Sequence, residues 1–416
     1  MRQLAIDGGP PVIAEPLPTI RDSSGRLIGR EEMRLVREVM DSGNLAYIHG
    51  TMVRRFESGF AERIGAAHAV AVSSGTAALH TAMIYLNPEP GDEILVSPIT
   101  DMGSVIPVLY QQAVQVFVDV DPVNQNMDPM KIEQQISPRT RAIIVTHIYG
   151  SPADMDPILA IARKHDLFVI EDCAQAHLTE YHGKIVGTLG HAGCFSFQQS
   201  KHITTGDGGM VVANEDNRFG RALQLCLDKG WPRHKPGRDH LFLATNYHMT
   251  ELQAAVGVAQ VEKYDQCIQA RRTAAAQMDE VLAGEDRIRP VGTLPNCRQM
   301  YFYYCFTIDL DRLNVDGEKI VAALAAEGLA CELGYPGPIP LYAYPMIRDR
   351  RTFGKSGWPF TSPAARKQWE YPEGLCPAAE TACRQTIVLP WNEGFNRRHV
   401  DLMAEAVLKV VRAYAV

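Results

Sequence analysis

From about residue 30 to 215, short runs of aliphatic and β-branched residues alternate with segments whose apolar positions recur every three to four residues. The first pattern predicts strands and the second helices. Residues 31–42 carry Leu35, Val36 and Val39 on one helical face, with Gly43 as the stop. Residues 69–72 read as a strand, which meets Ser73-Ser74-Gly75-Thr76 before a helix over 77–86. Residues 93–96 and 114–120 read as further strands. Residues 142–146 read as a fourth strand, whose run of apolar residues up to Thr146 predicts burial on both faces. A helix over 154–165 follows, then a strand over 167–170 that ends in Glu171-Asp172, then strands over 194–197 and 210–213. Strand and helix in alternation predict an α/β fold with a parallel-type sheet covered by helices. Polar and glycine residues cluster at the carboxyl ends of these strands, the edge at which such sheets bind ligands.

After about residue 260 the pattern changes. One long helix is expected over 262–282, an aromatic-rich strand over 301–308, a helix over 315–327 and a closing helix over 398–413. The stretch 334–373 is rich in Pro, Gly and aromatic residues and reads as a binding loop. Two domains are expected, 1–260 and 261–416.

Composition narrows the class. The chain has 416 residues, 46% hydrophobic and 21% charged. No apolar run approaches the roughly 20 residues that cross a bilayer. The first 18 residues lack the apolar stretch of a signal peptide. A net charge of −7 gives no basic footprint for nucleic acid. The nine cysteines are scattered and form no CxxC pair, which predicts reduced thiols in a cytoplasmic protein and no metal site.

Three segments carry candidate chemistry. Ser74-Gly75-Thr76-Ala77 lies between a strand and a helix, where free N–H groups suit a phosphate or form an ordinary N-cap. Asp172 follows a buried strand in Val169-Ile170-Glu171-Asp172-Cys173-Ala174-Gln175. A carboxylate there can pair with a protonated ring nitrogen or cap a helix. Lys201 precedes a glycine-rich turn in Ser196-Phe197-Gln198-Gln199-Ser200-Lys201-His202-Ile203-Thr204-Thr205-Gly206-Asp207-Gly208-Gly209. A lysine fixed in an apolar site can lose its proton and form a Schiff base.

Taken in order, these segments resemble the DegT-type sugar aminotransferases, within the fold-type I (aspartate aminotransferase-like) pyridoxal phosphate (PLP) enzymes. The resemblance runs from Leu4-Ala5-Ile6-Asp7-Gly8-Gly9-Pro10 to Asn246-Tyr247-His248-Met249-Thr250-Glu251-Leu252-Gln253-Ala254-Ala255. It implies a large domain with a mostly parallel seven-stranded sheet between helices, and a smaller C-terminal α+β domain. It implies PLP held on Lys201, which then shuttles the substrate proton. Asp172 would hold the ring-nitrogen proton and Gln175 would contact the ring oxygen. Gly75, Thr76 and Ser196 would bind the phosphate. Asn246 would reach the phosphate of a neighbouring subunit, which implies a homodimer with shared sites. His147 would either approach the substrate or pack at the end of its strand, and His248 is expected near the substrate. The family pattern is broken twice. Where an aromatic residue usually covers the ring, Asp101-Met102 follows Ser97-Pro98-Ile99-Thr100, and Met102 is expected to cover it instead. His248 stands where the family usually has arginine, so a titratable group replaces a permanent cation.

The implied reaction moves an amino group from L-glutamate or L-glutamine to a keto group of a sugar or cyclitol, in aminosugar, aminocyclitol or antibiotic biosynthesis. Two alternatives compete. Dehydrases related to this family replace the key lysine with histidine, and a regulatory protein can keep the fold without turnover. The presence of Lys201, followed by His202, favours transfer.

Overall fold

A computed structural model describes residues 3–213, 218–361, 363 and 365–416. Seven strands form the main sheet, in the order His68–Val72, Gly209–Ala213, Ala192–Ser196, Phe168–Asp172, Thr140–Thr146, Glu93–Val96, Val114–Phe117. All pairings are parallel except the two made by Gly209–Ala213, which runs antiparallel to both neighbours. This is the mostly parallel sheet expected. Its strands are apolar on both faces because helices cover both, and residues such as Ile143, Ile144 and Val169 are fully buried. The third strand is shorter than expected: it ends at Phe117, and Asp119 turns away to accept from the N–H groups of Ala378 and Ala379.

A second sheet is antiparallel throughout, in the order Ile288–Pro290, Tyr303–Ile308, Thr386–Pro390, Glu332–Leu333. The helices Tyr264–Leu282 and Arg397–Ala413 pack on it through Met278, Leu282, Val400 and Val407. We propose the boundary at 260/261 as the division between the sheets, since one sheet lies wholly before it and the other wholly after. The packing crosses that boundary in both directions. Leu4 and Ile13 join the second core, whereas Tyr342, Phe360 and Tyr371 join the first. The stretch 334–373 therefore contributes mainly to packing, and it contains the short helices Leu341–Ala343 and Pro345–Arg348.

The helix expected over 262–282 is present as Tyr264–Leu282, and a further helix directly precedes it. Glu251–Glu262 begins at Thr250 with a capping box to Gln253, and Tyr264–Leu282 follows after Lys263. Neither glycine nor proline marks the break, so the apolar periodicity reads straight through it. Lys263 is held at the junction by Glu32, with Nζ 2.8 Å from Oε1.

The carboxyl edge of the main sheet gathers the loops that matter for function. Strands Ala192–Ser196 and Gly209–Ala213 pair with Ser196 opposite Gly209. The chain between them is a hairpin pinned by Phe197 N–H to Gly208 O (2.8 Å), Thr205 N–H to Phe197 O (2.9 Å) and Thr204 Oγ1 to Phe197 O (3.0 Å). Lys201 sits in that hairpin. Gly209 must be glycine, since a Cβ there would fall 2.2 Å from Ser74 O. The hairpin thus packs directly against the Ser74-Gly75 turn.

Candidate active site

A cavity of about 430 Å³ opens at this edge. Ser74, Gly75 and Thr76 line it from one loop, Asp172 and Gln175 from a second, and Ser196 and Lys201 from the hairpin. Six of the expected residues, Gly75, Thr76, Asp172, Gln175, Ser196 and Lys201, therefore meet in one space.

Each side chain is held for a physical reason. Ser74 caps the helix Gly75–Leu86, its Oγ accepting from Ala77 N–H at 3.0 Å. The first intrahelical bond there runs from Ala78 N–H to Ser74 O. The N–H groups of Gly75 and Thr76 precede it at the positive end of the helix, and both residues line the cavity. Gly75 allows the close approach of Ser196, whose Cβ would lie 2.7 Å from a Cβ on Gly75. Asp172 is buried and accepts from Ser104 Oγ at 2.6 Å and from Ala174 N–H at 3.1 Å. Ser104 continues into a hydroxyl chain through Thr100 (2.7 Å) to Thr146 (2.9 Å). Gln175 accepts from Tyr149 N–H through Oε1 at 2.9 Å, so its NH₂ end is left toward Tyr335 and the cavity.

Burial sets the electrostatics. It pulls the Lys201 amine down from 10.5 to about 8, against the opposing pull of Asp172 and Asp101. Burial pushes the Asp172 carboxyl up, against its hydrogen bonds and the Lys201 charge. Among the described residues Asp172 makes no ion pair within 4.0 Å. Lys201 Nζ lies 4.3 Å from the ring centroid of Phe302.

Four expected residues lie elsewhere. Met102 packs against the hydrophobic core and is not in the cavity lining. Asp101 caps the short helix Met102–Ser104 by accepting from Gly103 N–H at 2.8 Å, and this turn aims Asp101, not Met102, at the cavity. His147 is fully buried. Its Nδ1 accepts from Ala153 N–H at 3.0 Å and its Nε2 donates to Glu171 at 3.0 Å. It lies outside the cavity lining, and both its ring nitrogens are engaged within the core. Glu171, His147 and Cys173 lie within 4.8 Å of one another, but Glu171 is already occupied by the N–H groups of Gly187, Leu189 and Gly190.

His248 also lies outside the lining. It stacks on Tyr47 at 4.5 Å, and its Nε2 is 3.2 Å from Asp228 Oδ1. Burial lowers its proton affinity, and Asp228 opposes that. Asn246 Oδ1 accepts from His248 N–H at 3.2 Å, which places Asn246 beside this group and away from its own chain's cavity. The same neighbourhood borders a second cavity of about 630 Å³ lined by Tyr47, Arg54, Glu57, Asp228, Trp231 and Arg233.

The aromatic residues Phe302, Tyr303 and Tyr335 complete the Lys201 cavity. The run Tyr301 to Tyr304 reads in sequence as a strand, and nothing in it announces that its first residues face a ligand. Tyr335 is the part of the 334–373 stretch that reaches the cavity. Arg348 and Arg351 pair with Asp349, and Arg350 donates to Trp369 O, so the basic residues there are engaged outside it. His202 is buried and stacks on His177 at 5.1 Å behind the hairpin, so the lysine and not the adjacent histidine faces the cavity.

Comparison with known proteins adds an independent line. The sequence model of the DegT/DnrJ/EryC1/StrS aminotransferase family matches residues 26–365. The chain is 34% identical over 405 residues to the L-glutamine:2-deoxy-scyllo-inosose aminotransferase of Streptomyces paromomycinus, covering 93% of this chain and 92% of that one. It is 37% identical over 318 residues to the GDP-perosamine synthase of Caulobacter vibrioides, covering 75% and 83%. The solved aminotransferase from Psychrobacter cryohalolentis superposes with a TM-score of 0.83 at 28% identity, over 94% of this chain and 98% of that one.

In cofactor-free protein the Lys201 amine should titrate near 8, far below its ordinary 10.5. It is protonated below that value and becomes nucleophilic above it. Labelling with an amine-directed reagent, followed across pH by peptide mass, checks this. A midpoint near 10.5 contradicts the burial described.

Proposed function

The chain belongs to the DegT/DnrJ/EryC1/StrS aminotransferase family, and on that premise we propose that it moves an amino group from L-glutamine or L-glutamate to a keto group of a sugar or cyclitol, with PLP held on Lys201. The observation that carries this reading is the meeting of Lys201, Asp172 and the Gly75-Thr76 turn around one cavity. Relatives that act on a keto-inosose or are named for an amino sugar support the acceptor class.

The residues fit the cofactor. The N–H groups of Gly75 and Thr76 and the hydroxyls of Thr76 and Ser196 suit a phosphate. Asp172 is a buried carboxylate without a cation at hydrogen-bond distance, and a protonated ring nitrogen would supply one. When bound, PLP offers an aldehyde that accepts amines and a ring that draws electrons from the adjoining carbon.

The chain's own groups do the rest. Lys201 is the amine that would hold the cofactor, and its lowered proton affinity leaves it a usable nucleophile near neutral pH. The same amine would be the base that takes a proton from the substrate carbon beside nitrogen and returns it. Asp172, fixed by Ser104 and Ala174, would hold the proton on the ring nitrogen. The NH₂ of Gln175, which contacts Tyr335, has a second hydrogen that would serve the ring oxygen. Asp101 occupies the sequence position of the residue expected to cover the ring, and its charge acts on Lys201 across the cavity.

Asn246 lies away from its own chain's cavity, which supports a second copy receiving it. We propose a homodimer with shared sites. The dehydrase alternative loses support because His202 is turned away and Lys201 is not. A non-catalytic role loses support because the full set of groups around Lys201 is intact.

The reaction is ping-pong, so its halves can be tested apart. L-Glutamine or L-glutamate alone should bleach the cofactor's visible band and release one equivalent of the keto acid. Lys201→Ala should slow this step by about 10²- to 10⁴-fold. If neither donor changes the spectrum, the transfer reading fails. For the dimer, Asn246→Ala and Lys201→Ala variants, each inactive or weak, should regain activity when mixed as hybrids. The absence of any rescue would count against shared sites.

A further inference from the structure

Behind the Lys201 cavity lies a charged group that the chemistry above leaves unused. The side chains of Arg26, Arg271 and Glu393 are only 1, 0 and 2% exposed. Glu393 joins the two guanidiniums: Oε1 is 3.4 Å from Arg26 Nη1, and Oε2 is 3.0 Å from Arg271 Nη2. Each arginine also grips main chain. Arg26 Nη1 donates to the carbonyl of Lys201 at 2.8 Å. Arg271 Nη1 donates to the carbonyls of Tyr301 and Phe302 at 3.3 and 3.5 Å. Phe302 is the residue whose ring meets the Lys201 amine. One carboxylate therefore ties together, through two arginines, the backbone that carries the amine and the backbone that carries the ring against it.

The three residues come from distant parts of the chain. Arg26 follows the N-terminal leader, Arg271 lies in the helix Tyr264–Leu282, and Glu393 follows the strand Thr386–Pro390 of the smaller sheet. Stability alone accounts for them poorly. Burying charges is expensive, and apolar packing of the same volume is often as stable or more so. Arg26 Nε and Nη2 are buried with no protein partner, which adds to that cost.

We propose that Arg26, Glu393 and Arg271 are positioning residues that clamp Lys201, setting its amine against Phe302 and Asp172 and making that placement depend on the smaller sheet. This rests on the reading of Lys201 as the reacting amine.

Two readouts test it. In cofactor-free protein, Arg26→Gln should raise the Lys201 titration midpoint from about 8 toward 10.5, because a loosened hairpin lets the amine reach water. In holoprotein, the single-turnover rate with L-glutamine should fall about 10- to 100-fold while the donor KM stays within about twofold. Arg26→Lys, which keeps a donor for the Lys201 carbonyl, should restore most of both. If Arg26→Gln does not fold, Glu393→Gln, similar in shape but uncharged, is read by the same two measurements. A lower melting temperature with an unchanged Lys201 midpoint and an unchanged rate per folded site overturns the proposal. Failure of the underlying function looks different: the wild type itself would then show no response to donor, while the cofactor-free titration would still read the clamp.

Discussion

The Lys201 amine sits half-buried in a hairpin that lines the cavity, and the groups around it answer to that burial. An amine in such a place tends to lose its proton, whereas a buried carboxyl tends to keep one. Asp172 and Lys201 work against both tendencies across the cavity. The balance leaves an amine that is protonated at neutral pH yet close enough to its midpoint to react. The fold meets this demand by packing the hairpin on the Ser74-Gly75 turn, where Gly209 and Gly75 remove the side chains that would force the two apart. The phosphate-suited N–H groups and the reactive amine are thereby fixed by the same contact.

Much of this was legible in the sequence. The strands of the main sheet show as continuous apolar runs because helices bury both faces, and their polar ends mark the binding edge. The grouping of Lys201, Asp172 and Gln175 was legible only through resemblance to a family, since spacing alone does not bring residue 201 beside residue 172. Direction was harder. Met102 and Asp101 are neighbours, and the single turn capped by Asp101 decides which of them faces the cavity. His147 ends a strand as a ligand-binding histidine would, but the N–H of Ala153 and the carboxylate of Glu171 claim both its nitrogens. Phe302 and Tyr335 were hidden because aromatic residues serve cores and sites alike. The Arg26–Glu393 pair joins residues far apart in the chain, which no local pattern records.

Family membership and site geometry bear on different questions. The first gives the class of reaction, and the second gives what this chain brings to it. The resemblance breaks at Asp101 and at His248, and of these two residues only Asp101 lines the Lys201 cavity. Asp101 adds negative charge beside the reacting amine, while His248 stacks on Tyr47 in contact with Asp228. The first bears on the chemistry of the chain's own site. The second lies outside that site, with Asn246 next to it.

The account stands or falls on one covalent attachment. Borohydride reduction of the purified holoprotein, followed by digestion and peptide mapping, locates the lysine that carries the cofactor. The reduced cofactor is predicted on the peptide that contains Lys201 and on no other. A label on a different lysine, or none at all on a protein that retains its cofactor, would contradict the account.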